Sequence, residues 1–418
     1  MPSILILAFI AIFSFLSLAS TAPAGVNHTP IPPEAPNRSI HEISIKGRIT
    51  APFPVNKGYK SDGKLHHLPP KPHTPAGGLA LNEIPNYHPL SDFDFQSLNL
   101  AQYTEWIELD LFRYALDKFS LKDFEEAGLT KADRALVAYM AEQEVGHATN
   151  VYNMLGPAAA KPCQYKYPFK TVREFITFSK QLTRVGEAGV LGFIEHLNSR
   201  PSAQLLLQTV TVEARQQMVF RQFEGLFPMP VWFQTAITQS MQWSLQARYI
   251  VSCPAINHKY PLIWQVFPEL RITNNPNSTD PHFGPAISTL RTALSHSGRE
   301  VKFEFDAPGK KVGPDGKYTT STNAGAPKYA AWISQLNVTY TPLEDVKAAE
   351  SNGDKVGRTT TKQPDVPDIY PGLTTRGHHV INGTVFVALV DDNVYVTPAN
   401  LSELNAHVVA GPALYQAG

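Results

Sequence analysis

Proline is spread so unevenly along these 418 residues that it decides where regular helix can form. Fourteen prolines lie at or before Pro89, six between residues 90 and 252, and 15 beyond. Proline removes a backbone donor and clashes with the preceding helical turn, so long helices are confined to the middle stretch. Pro30-Ile31-Pro32-Pro33 and Pro69-Pro70-Lys71-Pro72 exclude helix from residues 23–91. That segment reads as an extended or disordered arm with a short strand at residues 43–49. Residues 92–254 read as a helical domain and residues 255–418 as a β-rich one.

Ahead of the arm, residues 4–18 are almost unbroken apolar. An apolar core of about 15 residues has signal-peptide length and falls short of the roughly 20 that span a bilayer. Residues 1–22 therefore read as a signal peptide, with cleavage after Ala19, Ala22 or Ala24. No Lys or Arg precedes the core, so a signal anchor is the other reading. A secreted protein with no membrane association after cleavage is expected. Six Asn-x-Ser/Thr sequons follow, at Asn27, Asn37, Asn277, Asn337, Asn382 and Asn400. The export route would let the two cysteines, Cys163 and Cys253, form a disulfide. Two buried free thiols are the alternative. Lys plus Arg and Asp plus Glu each total 36. This balance excludes a chain built to bind nucleic acid, which needs a positive field.

Helical periodicity places helices at residues 98–119, 131–155, 172–197 and 202–226, with a further apolar helix at 231–251. Thr130 is the expected cap of the second and Ser202 of the fourth. Short joins predict an antiparallel bundle. Beyond Pro254 the period changes. Val301, Phe303 and Phe305 alternate with charged residues, as in a half-buried strand. Trp332, Leu336, Val338 and Tyr340 alternate similarly and leave Asn337 outward. Residues 384–390 are apolar throughout, as in a central strand. Asp391-Asp392-Asn393 reads as a turn before a strand at residues 394–396, and Pro314-Asp315-Gly316 as another turn. Residues 346–367 read as a loop, and residues 262–397 as a small β-sandwich-like fold.

The helices carry acids on faces that should be apolar. Glu105 and Glu108 interrupt the stripe Ala101, Phe112, Ala115 of the first helix. Glu144 and His147 sit between Met140 and Val151 of the second. Glu187 lies in the stripe Ile176, Thr183, Val190, Ile194 of the third. Glu213 and Gln216 or Gln217 lie between Val210 and Phe220 of the fourth. Carboxylates stay buried only with compensation, since desolvation otherwise restores their protons. Two divalent metals would compensate them. The carboxylate-bridged bundle design takes a Glu from each of two helices and Glu-x-x-His from each of the other two. Oxygen ligands with imidazole suit iron or manganese. Glu144-Val145-Gly146-His147 matches that design, and Glu213-Ala214-Arg215-Gln216 has Gln in place of His. Glu105 and Glu108 are alternatives for the first helix. A single metal, or a metal-free core in which the acids pair with Arg184, Arg215 or Arg221, are the other readings.

Taken with their neighbours, these residues resemble the ferritin-like domain of secreted fungal stress-response and sexual-development proteins. The resemblance extends more distantly to plant desiccation-related proteins. It rests on Glu105-Trp106-Ile107-Glu108, on Glu144 to His147, on Gly186-Glu187-Ala188-Gly189-Val190 and on Val212 to Gln217. Residues 223–230, 308–313 and 407–415 also resemble the fungal branch. The resemblance implies an α+β multidomain chain: a ferritin-like antiparallel four-helix bundle, plus a fifth helix, followed by the β-sandwich-like domain. It implies a stress- or development-associated protein holding a di-iron or di-manganese centre with a redox or iron-handling role. The alternative is a metal-free structural or binding glycoprotein of the cell wall or extracellular matrix, with cell-wall polysaccharide or self-association as its partners. Nucleophile elbows, Walker loops and dinucleotide fingerprints are absent from the sequence. His66, His67 and His73 in the arm, and the pair His378-His379, read as solvated histidines or as minor metal sites.

Overall fold

The computed structural model describes residues 87–280, 282, 284–287, 291, 293–350, 356–366 and 380–418. The signal peptide, the strand at 43–49, Asn27, Asn37, His66, His67, His73, His378, His379 and all but the last residues of the arm lie outside the described residues.

The middle of the chain forms α1 (Asp92–Lys118), the short α2 (Leu121–Glu126), α3 (Lys131–Leu155), α4 (Val172–Phe193) and α5 (Arg200–Phe223). Helix α3 has the expected bounds, and Thr130 caps it in a reciprocal box with Asp133. Helix α1 begins six residues before the expected start. Ser91 accepts from the Asp94 amide there, and acids fill the first turn. Helix α4 stops at Phe193 and continues as one 3-10 turn, Ile194–His196, rather than reaching residue 197. Ser202 is not the cap of α5. Ser199 is, and Pro201 lies inside the first turn, where its missing N–H costs nothing.

Apolar packing gives the direction of each helix. Leu98 and Ala101 of α1, Val151 of α3, Val190 of α4 and Leu206 of α5 share one cluster. Phe112, Met140, Leu182 and Phe220 share another. The α1–α3 and α4–α5 pairs are therefore antiparallel, but α3 and α4 run the same way. Residues 156–171 are accordingly a crossover along the bundle rather than the expected short loop. They follow α1. The Ala160 amide donates to Asn99 Oδ1 and its carbonyl accepts from Trp106 Nε1, at 2.9 and 2.8 Å. The Tyr167 hydroxyl donates to Asp110 at 2.7 Å, and Lys118 Nζ to the Phe169 carbonyl at 3.1 Å. Within this crossover β1 (Gln164–Tyr165) pairs with β2 (Ile250–Ser252), and Cys163 is bonded to Cys253 beside that pair.

The expected helix at 231–251 is mostly something else. Only α6 (Gln239–Gln246) is α-helical, followed by the 3-10 turn Ala247–Tyr249 and β2. The cause lies on α4. A Cβ on Gly192 would sit 1.8 Å from the Ile237 carbonyl oxygen, and one on Gly189 would sit 2.1 Å from the Gln242 amide. These glycines open a groove in which the chain lies extended, its Ile237 amide donating to the Ala188 carbonyl at 3.0 Å. Gly192→Ala is expected to destabilise the fold by about 3 kcal/mol, because the obstructing atom is backbone. Gly146 has open space beyond it. Gly146→Ala is expected to be neutral or stabilising by up to about 1 kcal/mol. Urea midpoints of the two variants check both.

After the short α7 (Ala255–Lys259) the chain forms two four-stranded antiparallel sheets. The strands are β3 (Leu270–Ile272), β4 (Glu300–Phe305), the hairpin β5 (Lys311–Val312) and β6 (Tyr318–Thr319), β7 (Tyr329–Ser334), β8 (Asn337–Pro342), β9 (Glu344–Lys347), β10 (Gly357–Lys362), β11 (Thr384–Val390) and β12 (Val408–Gln416). The sheets run β3-β4-β10-β9 and β12-β11-β7-β8. Val301, Phe303 and Phe305 point inward as expected and meet Trp332, Val385, Val387, Leu389 and Tyr415 of the second sheet. Alternation along β11 sends Phe386, Ala388 and Val390 to the opposite face, against Val185, Ala188, Met241 and Leu245 of the helices. Both faces of β11 are covered, which is why it is apolar throughout.

Three strand readings need correction. The residues from Trp332 to Tyr340 form a hairpin rather than one strand, and Leu336 at its turn is exposed. The 346–367 segment contains β10, the central partner of β4. Its polar composition hid it: Thr359 and Thr361 point inward with hydroxyls bonded to the Glu344 and Pro342 carbonyls. Residues 394–396 form no strand, and Tyr395 is 85% exposed. The sheet system also runs past residue 397 to include β12.

Candidate metal centre

Between the two apolar clusters of the bundle lies a layer of acids. Glu105 and Glu108 come from α1, Glu144 and His147 from α3, Glu187 from α4, and Glu213 and Gln216 from α5. All seven side chains are buried, and His147, at 8% exposed, is nearest the surface. His147 Nδ1 lies 3.1 Å from Glu144, 3.5 Å from Glu105 and 4.0 Å from Glu213. Two groups offer ligand atoms within 4.8 Å of one another: Glu105 with His147 and Glu213, and Glu105 with Glu108 and Glu144. Glu105 belongs to both. The structure thus brings in Glu105 and Glu108 together, where the sequence had offered them as alternatives. Gly186 makes room for the second: a Cβ there would lie 2.8 Å from Glu108 Oε1.

Several oxygens in this layer have no hydrogen-bond partner: one each on Glu105, Glu187 and Glu213, both on Glu108, and Oε1 of Gln216. Unpaired buried carboxylate oxygens are costly, so they point to something that would satisfy them. Burial raises the Glu105 pKa to about 7, despite the opposing effect of His147. Burial also holds Glu108 and Glu213 well above the usual range, and neighbouring carboxylates push the same way. Glu187 is raised by burial and partly brought back by Arg184, which donates to it at 2.9 Å. Burial works to lower the His147 pKa, but Glu144 and Glu105 outweigh it and raise the value well above normal. Burial therefore favours the protonated form of Glu105, Glu108, Glu187 and Glu213.

The donor set fits two divalent cations. With Arg184, two dications balance five carboxylates, and neutral His147 and the Gln216 carbonyl remain as uncharged ligands. The Gln216 amide donates to Glu144 Oε1 at 2.5 Å, which leaves its own oxygen free. Of the three arginines offered for a metal-free core, only Arg184 reaches an acid of the layer. Arg215 is exposed, and Arg221 donates to the Phe227 carbonyl and to an oxygen of Gly418.

A polar row that the sequence reading missed lies beside the layer. Gln242 and Gln246 of α6 both donate to Thr104, at 3.0 and 2.8 Å. Gln239, Gln242 and Gln246 recur at helical spacing, and that spacing is the signal the sequence carries for this row. A second missed feature is the Lys180–Glu224 pair, at 2.5 Å and fully enclosed with Ser278 and Thr177. Here every charge has a partner. Lys180→Met is expected to cost about 3 kcal/mol by stranding Glu224, and adding Glu224→Leu is expected to recover most of it. Burial lowers the Lys180 pKa from 10.5 to about 8. Between those values the unfolded chain holds more protons, so this group's contribution to stability rises with pH from about 8 to 10.5. The variant is expected to lose that slope in pH-dependent denaturation.

Of the four sequons among the described residues, Asn277 and Asn337 are exposed. Asn382 Nδ2 donates to the Pro230 carbonyl at 2.8 Å, and Asn400 Nδ2 to Glu403 at 3.2 Å.

Comparison with known proteins agrees with this architecture. The family model for the ferritin-like domain matches residues 93–226, the span of the four long helices. Protein rds1 of Schizosaccharomyces pombe is 50% identical over 376 residues, covering 86% of this chain and 90% of the relative. The similarity thus runs through the sheets as well as the bundle. The chain belongs to the family of protein rds1, with a ferritin-like domain at its centre.

Proposed function

We propose that the bundle holds a dinuclear iron or manganese centre in a secreted, stress- or development-associated protein, with a redox or iron-handling role. The observation that carries this reading is the layer of five buried carboxylates, four of which have oxygens without a partner. Glu144 and Glu213, together with Glu105, Glu108 and Glu187, would supply the oxygen ligands, and His147 and Gln216 would each add a neutral one. Bound there, such a pair would supply one-electron chemistry toward peroxide or oxygen. The chain's own part is to hold this charge dry and in place. Apolar layers at either end exclude water, Arg184 fixes Glu187, and the Gln216 amide fixes Glu144. His147, nearest the surface, is placed to pass protons as metal enters. Export is supported by the leader, by the Cys163–Cys253 bond and by the exposed sequons Asn277 and Asn337. The test is metal content of secreted protein, with Glu144→Ala/His147→Ala as the control. Sub-stoichiometric metal in both after loading would sink the proposal.

A second reading is favoured by the Arg184–Glu187 and Gln216–Glu144 contacts, which satisfy part of the layer without an ion. It makes the protein a structural or binding glycoprotein of the cell wall or matrix, acting through polysaccharide or self-association. Retention on chitin or glucan, against a denatured control, discriminates it.

A further inference from the structure

A cavity of about 320 Å³ lies outside the carboxylate layer, between α4, α5, residues 228–234 and the start of β11. That is the small end of the range for ligand clefts. Its walls are of two kinds. Met218, Pro228, Met229, Pro230 and Val231 are apolar, and Arg184, Arg215 and Arg221 bring positive charge. No Asp or Glu lines it.

The arginines differ in what they already hold. Arg184 is committed to Glu187 and Gln234. Arg215 is exposed on α5. Arg221 is only 2% exposed, with Nε on the Phe227 carbonyl and Nη2 on an oxygen of the last residue, Gly418, yet its Nη1 has no partner. A buried guanidinium N–H without a partner calls for an acceptor, and a charged one suits it best. The nearby acids are engaged elsewhere: Glu187 by Arg184, and Glu224 by Lys180. The amides on the wall are also used, Gln217 donating to the Lys180 carbonyl and Gln234 accepting from Arg184. The cavity therefore offers positive charge and apolar surface, and few free groups for a sugar's hydroxyls. Around it Phe227, Met229 and Trp232 are exposed, Met229 at 66%.

We propose that this cavity binds a small amphipathic carboxylic acid, its carboxylate against Arg215 and Arg221 and its apolar body on Met218, Met229, Pro230 and Val231. An inorganic anion would leave the apolar wall uncovered, and an uncharged amphiphile would leave the arginines unanswered. The proposal is independent of the metal reading, because none of the groups assigned to the ligand belongs to the acid layer.

The test is calorimetric titration of the full secreted protein after dialysis against chelator. Four probes are compared: octanoate, 3-phenylpropanoate, octan-1-ol and inorganic phosphate. Saturable binding of at least one acid is expected, with the alcohol and phosphate weaker by about tenfold or more, as for a lost hydrogen bond to a charged group. Which acid binds more tightly tells an alkyl from an aromatic source. Arg215→Glu is expected to weaken the acids by about tenfold and leave the alcohol unchanged, and Val231→Trp is expected to block both by filling the space. A thermal transition for each variant shows that it is folded. Octan-1-ol binding as well as octanoate, acids binding Arg215→Glu undiminished, or no saturable binding of either acid would each overturn the proposal. Should Val231→Trp fail to fold, Arg215→Glu decides alone.

Discussion

Ferrous or manganous ion added to the metal-free protein is expected to raise its unfolding free energy by about 4 kcal/mol for each ion bound, at a thousandfold excess over Kd. The gain follows from the state of the layer without metal. Glu105, Glu108, Glu187 and Glu213 are held by burial above their ordinary pKa values, and several of their oxygens have no partner. Metal replaces protons with charge that every oxygen can meet. A variant separates this from a merely polar core. Glu213→Gln removes a carboxylate that is costly in the metal-free state, so it is expected to stabilise the metal-free protein while abolishing most of the gain on loading. Melting curves with and without metal read both signs in one experiment. A wild-type midpoint that does not move, with no metal retained, would end the reading.

Replacing both cysteines by serine is expected to cost about 4 to 5 kcal/mol, the chain-entropy value for a closed loop of this length. The bond joins residues 90 apart in sequence, so the loop encloses α4, α5 and α6. It ties the crossover to β2, and the crossover in turn runs along α1 through Ala160 and Tyr167. The serine variant should therefore loosen residues 156–171 first, which hydrogen exchange would show as lost protection there. A wild-type protein in reductant should match the variant's urea midpoint. If the unfolding free energy of the variant stays within about 1 kcal/mol of the oxidised wild type, the loop is held by packing alone.

Much of this was legible in the sequence, for identifiable reasons. Helix α3 announces both its ends, through the Thr130–Asp133 box and Gly156, and its bounds were read correctly. The carboxylate layer was visible because Glu at positions fit for Leu is a strong signal at helical spacing. Strands β4 and β11 were visible because their burial alternates or is complete. The misreadings share a cause. Ser199, not Ser202, caps α5 because the preceding turn determines which hydroxyl faces the helix end. Strand β10 looked like a loop because its buried residues are threonines bonded to a neighbouring strand. Helix α6 was over-extended because the reason for extended backbone at Ile237 lies on α4.

By itself, the sequence determined the four long helices and strands β4 and β11, which of their faces are apolar, and that acids interrupt four of the helix faces. Local spacing and local side-chain chemistry settle such matters, and neither requires knowledge of distant neighbours. Only the tertiary structure decided that α3 and α4 run in the same direction, that Glu105 and Glu108 enter the layer together, and that α4's glycines admit the Ile237 segment. Each depends on atoms far apart in sequence meeting at a few ångströms, where backbone clearance and unpaired charge, rather than periodicity, select the arrangement.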